Sequence, residues 1–194
     1  MPDKTKESVV DQNKAQDEYL GHIEGAIRDG QSITADWVPL QELIDGVQLR
    51  EVKNVIKNQG GILTEVFRSD WGLDHNVIDQ VFQNVLNPKQ ISGWHVHAET
   101  TDRIFINLGL MKVVLFDGRK NSPTYGVINE FMLGDIRPGL LIVPPGIWHA
   151  VQNISHTASA LLNLVDKAYQ YEGPDHIRLP IDSPKIPYDP NKWK

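Results

Sequence analysis

Residues 92–102, SGWHVHAETTD, decide how this chain is read. They set His95 and His97 two positions apart, with Glu99 and Asp102 close behind. Residues two apart on a β-strand project from the same side, so both imidazoles would face one space. Neutral imidazole is the commonest metal ligand among side chains and also the usual proton-transfer group near neutral pH. Downstream, residues 144–153 read PPGIWHAVQN. The Pro144-Pro145-Gly146 corner is followed by a third histidine, His149, at the opening of another apolar run.

The stretches around these two segments have one texture. GILTEVF follows the Gln59-Gly60-Gly61 turn; DRIFINLGLMKVVLFD is broken by Gly109; then come YGVINEFML, LLIVP, IWHAVQN and SALLNLVD. Turn residues such as Asp117-Gly118, Gly134-Asp135 and Pro144-Pro145-Gly146 divide them at short intervals. Many short strands at such spacing predict an all-β sandwich or barrel. NVIDQVFQNVL (76–86) is mixed: its apolar residues recur with helical period while β-branched and aromatic side chains dominate, and its second half is read as a strand. From Glu172 the chain is rich in proline, which breaks ladders, and is expected to drape over the barrel. Residues 1–36 stand apart, with Tyr19, Leu20, Ile23 and Ile27 at the spacing of a short amphipathic helix.

Composition narrows the function. The 194 residues are 40% hydrophobic and 23% charged, with a formal net charge of −6 and no basic cluster, which argues against nucleic acid as a partner. Without cysteine there is neither a disulfide nor thiol chemistry. No stretch approaches the roughly 20 apolar residues of a bilayer-crossing helix, and the N-terminal residues lack an apolar run of signal-peptide length. A soluble, cytoplasmic protein with no membrane partner is expected.

The spacings HxHx4Dx6G, from His95 to Gly109, and PxGxxHxxxN, from Pro144 to Asn153, resemble the two motifs of the cupin superfamily. That resemblance implies a jelly-roll β-barrel over residues 37–194, with residues 1–36 as a helical extension. It also implies a divalent metal ion, of Fe, Mn, Ni, Co or Zn, on His95, His97, Asp102 and His149. A more specific resemblance, over about residues 44–188, is to the dTDP-4-dehydrorhamnose 3,5-epimerase family. It is carried by GGILTEVF with Glu65, by Gln80, by SGWH, by the DGRKNSPTYG run with Arg119 and Tyr125, by PPGIWH, and by IRLPIDSP. It implies an isomerase or epimerase of a keto-sugar or similar small carbonyl compound, acting as a homodimer. His95, held by Asp182, would be the base and His149 a second site histidine. Glu65, Gln80, Arg119 and Tyr125 are candidate substrate contacts.

Other family positions differ here. The enolate-stabilising lysine falls on Asp102, the proton-delivering tyrosine near Leu162, and the two phosphate-gripping arginines on Gly60 and Ser92. An aspartate cannot stabilise an enolate unless it carries a cation, which is the argument for a metal. If His95 ligates the ion, the base must be Glu65, Glu99 or a metal-bound hydroxide; if His95 is the base, it is free of the ion. A metal-dependent oxygenase and a non-catalytic sugar-binding relative are the rival functions. Trp94 and Trp148 precede site histidines and are expected to pack the opposite sheet face. His22, His75, His156 and His176 belong to no constellation and are read as surface residues.

Overall fold

The computed structural model describes residues 29–56, 60–73, 75 and 77–193. The helix expected around residues 19–27 lies outside these. The chain divides into two units, Met1–Gln41 and Glu42–Lys194. In the described part of the first, a turn is closed by the Thr34 amide on the Val38 carbonyl at 2.8 Å and by a bridge between Ile33 and Pro39.

The second unit is built almost wholly of strands: β1 (Gln48–Glu51), β2 (Asn54–Ile56), β3 (Ile62–Thr64), β4 (Gln80–Leu86), β5 (Ile91–Val96), β6 (Asp102–Leu108), β7 (Leu110–Asp117), β8 (Ile128–Gly134), β9 (Gly139–Val143), β10 (Ile147–Asn153), β11 (Ser159–Val165) and β12 (Ile177–Arg178). Two five-stranded antiparallel sheets, ordered β1-β9-β6-β11-β4 and β12-β5-β10-β7-β8, form the cupin-type jelly roll, with β2 and β3 as a separate hairpin. Helical residues in this unit are confined to short 3-10 turns among the described residues. No helix among them is long and apolar enough to cross a membrane.

Strand β7 shows why the sheets stack as they do. Met111, Val113 and Leu115 alternate into the space between the sheets, where they meet Ile104 and Ile106 of β6, Leu141 of β9 and Leu161 of β11. The intervening Val114 and Phe116 face outward, yet they too are buried, with Trp94, Ile186, Tyr188 and Trp193. A strand covered on both faces reads as a continuous apolar run, and this is why KVVLF lacks the alternation of a half-exposed strand. The cover is the proline-rich tail. Trp94, 1% exposed, donates its indole N–H to the Ile181 carbonyl at 3.2 Å and meets Tyr188 and Trp193 edge-on at 5.9 and 5.8 Å. Burying a side chain as large as Trp94 is worth about 2–3 kcal/mol in transfer free energy, so the tail is anchored as part of the fold.

The second half of the mixed segment resolves as β4, Gln80–Leu86, paired residue for residue with β11 from Ser159↔Leu86 to Val165↔Gln80. Helical periodicity lost to the ladder that an unpaired β11 edge offers.

Candidate active site

A cavity of about 700 Å³ opens between the two sheets, within the size range of small-ligand sites. Its floor is the core itself, Ile104, Val151 and Leu161. Its polar wall begins at β5. His95 stands directly opposite His149 on β10, but the next register pair is Ser92 with Val151. Two residues of β5, Gly93 and Trp94, therefore face the single Ala150, a β-bulge that reverses the strand's parity. Ser92 and His95 both line the cavity as a result, while Ile91 and Trp94 both pack beneath the tail. Only glycine fits at the bulge: Gly93 has φ +144°, and an added Cβ would lie 2.5 Å from the Ala150 Cβ.

The rings of His95 and His149 are 4.2 Å apart between centroids, and His97 lies 5.7 Å from His149. Asp102, at the start of β6 and 1% exposed, completes the group. Its Oδ1 accepts from the Asn163 side-chain amide at 2.6 Å. Its Oδ2 lies 3.2 Å from His149 Nε2 and 3.5 Å from His97 Nε2. The far side of each ring meets a backbone carbonyl: His149 Nδ1 is 3.1 Å from the Ile147 oxygen, and His97 Nδ1 contacts the Asp175 oxygen. A carbonyl only accepts, so Nδ1 carries the hydrogen in both rings and, while the rings are neutral, both Nε2 lone pairs face a carboxylate oxygen. Burial holds the His149 imidazole below its ordinary pKa, against the opposing pull of Asp102.

His97, Asp102 and His149 each offer a ligand atom, all within 4.8 Å of one another. His95 stands outside that trio, and its Nδ1 is buried without a hydrogen-bond partner. Burial first, then the neighbouring His149, His176 and His97 rings and Arg178, push the His95 pKa far below the usual imidazole range. It is a neutral imidazole facing the cavity.

The tail supplies the remaining wall. The Asp175 carboxylate accepts from the amides of Ala98, Glu99 and Thr100 at 2.7, 3.0 and 3.0 Å and from the Thr100 hydroxyl at 2.9 Å. Burial would raise its pKa, but these donors bring it down to about 2. This clasp ties residues 98–100, between the histidine strand and Asp102, to the tail. It also delivers His176, whose ring lies 4.8 Å from His95 and 5.0 Å from His97. His176 is thus a cavity residue and not the surface histidine expected from sequence. Burial, then the Arg178 charge, lower its pKa to about 4. The signal present in the sequence was DHIR, a His-x-Arg at strand spacing; the run of prolines around it hid the strand.

Of the other sequence candidates, Gln80 lines the cavity, and its Oε1 accepts the Tyr169 amide at 2.9 Å. Glu65 is exposed and pairs with Arg68 at 3.3 Å. Arg119 is bound to Asp117 in a turn, and Tyr125, 56% exposed, lies on the same turn. Asp182 is exposed. None of these four lines the cavity, so nothing places Asp182 against His95.

The sequence model of the dTDP-4-dehydrorhamnose 3,5-epimerase family matches residues 41–191. The chain is 35% identical over 142 residues to the probable low-salt glycan biosynthesis epimerase Agl13 of Haloferax volcanii, covering 72% of this chain and 89% of that protein. It is 29% identical over 151 residues to the spore coat polysaccharide biosynthesis protein SpsL of Bacillus subtilis, covering 77% and 97%. Among solved structures, a dTDP sugar isomerase from Desulfovibrio desulfuricans superimposes with a TM-score of 0.70 at 27% identity, covering 76% of this chain and 92% of that one. With the family's pattern running through the whole barrel and its histidines converging on one cavity, this chain belongs to the dTDP-4-dehydrorhamnose 3,5-epimerase family, as a carbohydrate epimerase.

Proposed function

We propose that the cavity inverts a carbon beside the carbonyl of a keto-sugar, with His95 as the base and with His97, Asp102 and His149 as the seat of a divalent metal ion. The observation that carries this reading is the pair of Nε2 atoms aimed at one carboxylate oxygen. A single proton on Oδ2 can point at one of them, not both. One cation satisfies all three atoms. The three ligand atoms all lie within 4.8 Å of one another, so one ion could be held by all of them. The backbone carbonyls behind His97 and His149, and Asn163 behind Asp102, are the outer hydrogen bonds that orient metal ligands. Imidazole with carboxylate suits Fe, Mn, Ni, Co or Zn.

On this reading His95 is the base and does not share the ion. The trio holds the ion, and His95 keeps an unpartnered nitrogen for proton transfer. In the reaction the C–H bond next to the carbonyl breaks, its proton passes to the His95 imidazole, and the electron pair moves onto the carbonyl oxygen as an enolate. A proton delivered to the opposite face from a water molecule restores the ketone with inverted configuration, and His95 gives up its own proton to solvent, so that the base is regenerated. His95 enters the cycle neutral because its apolar surroundings and cationic neighbours disfavour the imidazolium. The core side chains beneath the site exclude water from the developing charge. An ion held by His97, Asp102 and His149 would supply the positive charge that the family's lysine gives.

Two measurements test the reading. Purified protein should carry an ion in stoichiometric amount that His97→Ala loses, and in deuterium oxide the protein should place deuterium on the carbon next to the carbonyl of a 4-keto-6-deoxy sugar nucleotide. A wild type that neither contains nor takes up metal sinks the ion; an absence of deuterium sinks the base. We further read the protein as a homodimer. β4 is a sheet edge with Val81 and Val85 exposed, and the β2–β3 hairpin exposes Val55, Ile56, Ile62 and Leu63. A two-stranded hairpin and an open apolar edge both gain from a partner.

A further inference from the structure

Strand β12 carries a second pair of side chains into the cavity, and neither cupin motif includes them. It runs antiparallel to β5 with Arg178 directly opposite His95. Residues two apart share one side of a strand, and His176 and Arg178 both line the cavity, while Ile177 between them is 56% exposed. Among the described residues Arg178 has no hydrogen bond and no carboxylate partner. The Nε2 of His176 is buried and likewise without a partner. The acidic groups that line the cavity are already engaged: the Asp175 carboxylate with three backbone amides, Asp102 with Asn163 and the two imidazoles, Glu99 with Lys167 at 2.6 Å, and Asp79 with the Ala168 amide at 2.8 Å.

An unpaired guanidinium beside an unfilled imidazole nitrogen is a site for an oxyanion. A guanidinium offers two parallel N–H donors to a phosphate or a carboxylate, and an Nε2–H adds a third from the same wall. We propose that Arg178 and His176 are the anion-binding end of this active site and hold an oxyanion of the substrate, the phosphate of a nucleotide-linked sugar or the carboxylate of an acidic one. Ser92, where the family's phosphate arginine would stand, is on the neighbouring strand β5 and faces the same cavity. The cation is absent there and present one strand over. This deepens the keto-sugar reading and rests on it for the identity of the bound molecule as substrate, but the binding itself is measurable without turnover.

The experiment is titration calorimetry of the full chain, as purified, with dTDP, inorganic pyrophosphate and glucuronate. At least one should bind, and Arg178→Met should weaken it about tenfold or more, the loss of one charge-assisted fork, with Arg178→Lys restoring part of the affinity and His176→Ala costing less. Arg178 is exposed, so the melting temperature of Arg178→Met should match the wild type. Binding of dTDP or pyrophosphate identifies a phosphorylated substrate; binding of glucuronate alone identifies an acidic sugar. His97→Ala separates the ion from the arginine. Affinity lost in His97→Ala but unchanged in Arg178→Met would overturn the assignment, as would no binding of any probe. Deuterium exchange with no anion binding would leave the epimerase reading standing and remove this one. Arginine-dependent binding without deuterium exchange would do the reverse.

Discussion

Asp102 and Asp117 are the same residue in nearly the same burial, 1% and 0% exposed, and they do different work. Asp117 is surrounded by donors from its own turn. It accepts from Arg119 Nε at 2.9 Å, Ser122 at 2.6 Å and Thr124 at 2.7 Å, besides the Arg119 amide at 3.0 Å. Every lone pair is met, and the network closes the β7–β8 connection. Asp102 has one certain donor, Asn163, and faces two imidazole nitrogens whose hydrogens are spent on backbone carbonyls. A buried carboxylate with its donors supplied locally is structural; one facing unspent lone pairs is the feature on which the proposed ion site rests.

The largest effect that would sharpen this contrast is at Asp102. Asp102→Asn should lower deuterium exchange into a keto-sugar by about 10²–10³-fold and abolish the metal content expected of the proposed site, with little change in melting behaviour; retention of both activity and metal would break the comparison. Asp117→Asn should do the opposite, costing about 2–3 kcal/mol in urea unfolding through its lost charge-assisted bonds while metal content stays constant. Its pH dependence has a definite sign. Burial would raise the Asp117 pKa, but Arg119, Ser122 and Thr124 hold it far below the usual carboxylate range. Its contribution is therefore complete above the unfolded value of about 3.9 and lost as pH falls toward the folded one. The wild-type advantage over Asp117→Asn should be flat near neutrality and close in strong acid; a gap that widens in acid would contradict the network.

Gly93→Ala is the next test, because a methyl 2.5 Å from the Ala150 Cβ must spread β5 from β10. A loss of about 1–3 kcal/mol is expected, together with weaker ion binding as His149 leaves its register. The smallest effect belongs to Asp182. Exposed and outside the cavity lining, Asp182→Asn should move activity by less than about twofold and stability by less than about 0.5 kcal/mol. A large loss of activity would restore it as the partner of His95.

Much of the site was legible because its signals are local. His95 and His97 at a spacing of two, Asp102 after a short turn, and His149 after a Pro-Pro-Gly corner are statements about neighbours in the chain, and strand geometry converts them directly into a shared face. What was illegible depended on contacts between distant segments. Nothing near Asp175 in sequence shows that its carboxylate will bind the amides of residues 98–100, and without that clasp His176 and Arg178 read as loop residues in a proline-rich tail. Asn163 likewise acquires its role only because β11 runs beside β6.

The amino-acid sequence by itself determined the β-rich pattern, the motif pair and so the jelly roll, because alternation, turn chemistry and ligand spacing act over a few residues. Only the tertiary structure decided which histidines share Asp102, that His95 and His176 keep unpartnered nitrogens, and that the tail closes the wall. Those outcomes follow from a bulge opposite Ala150 and from hydrogen bonds spanning more than sixty positions of chain, and such long-range pairings have no signature in local composition.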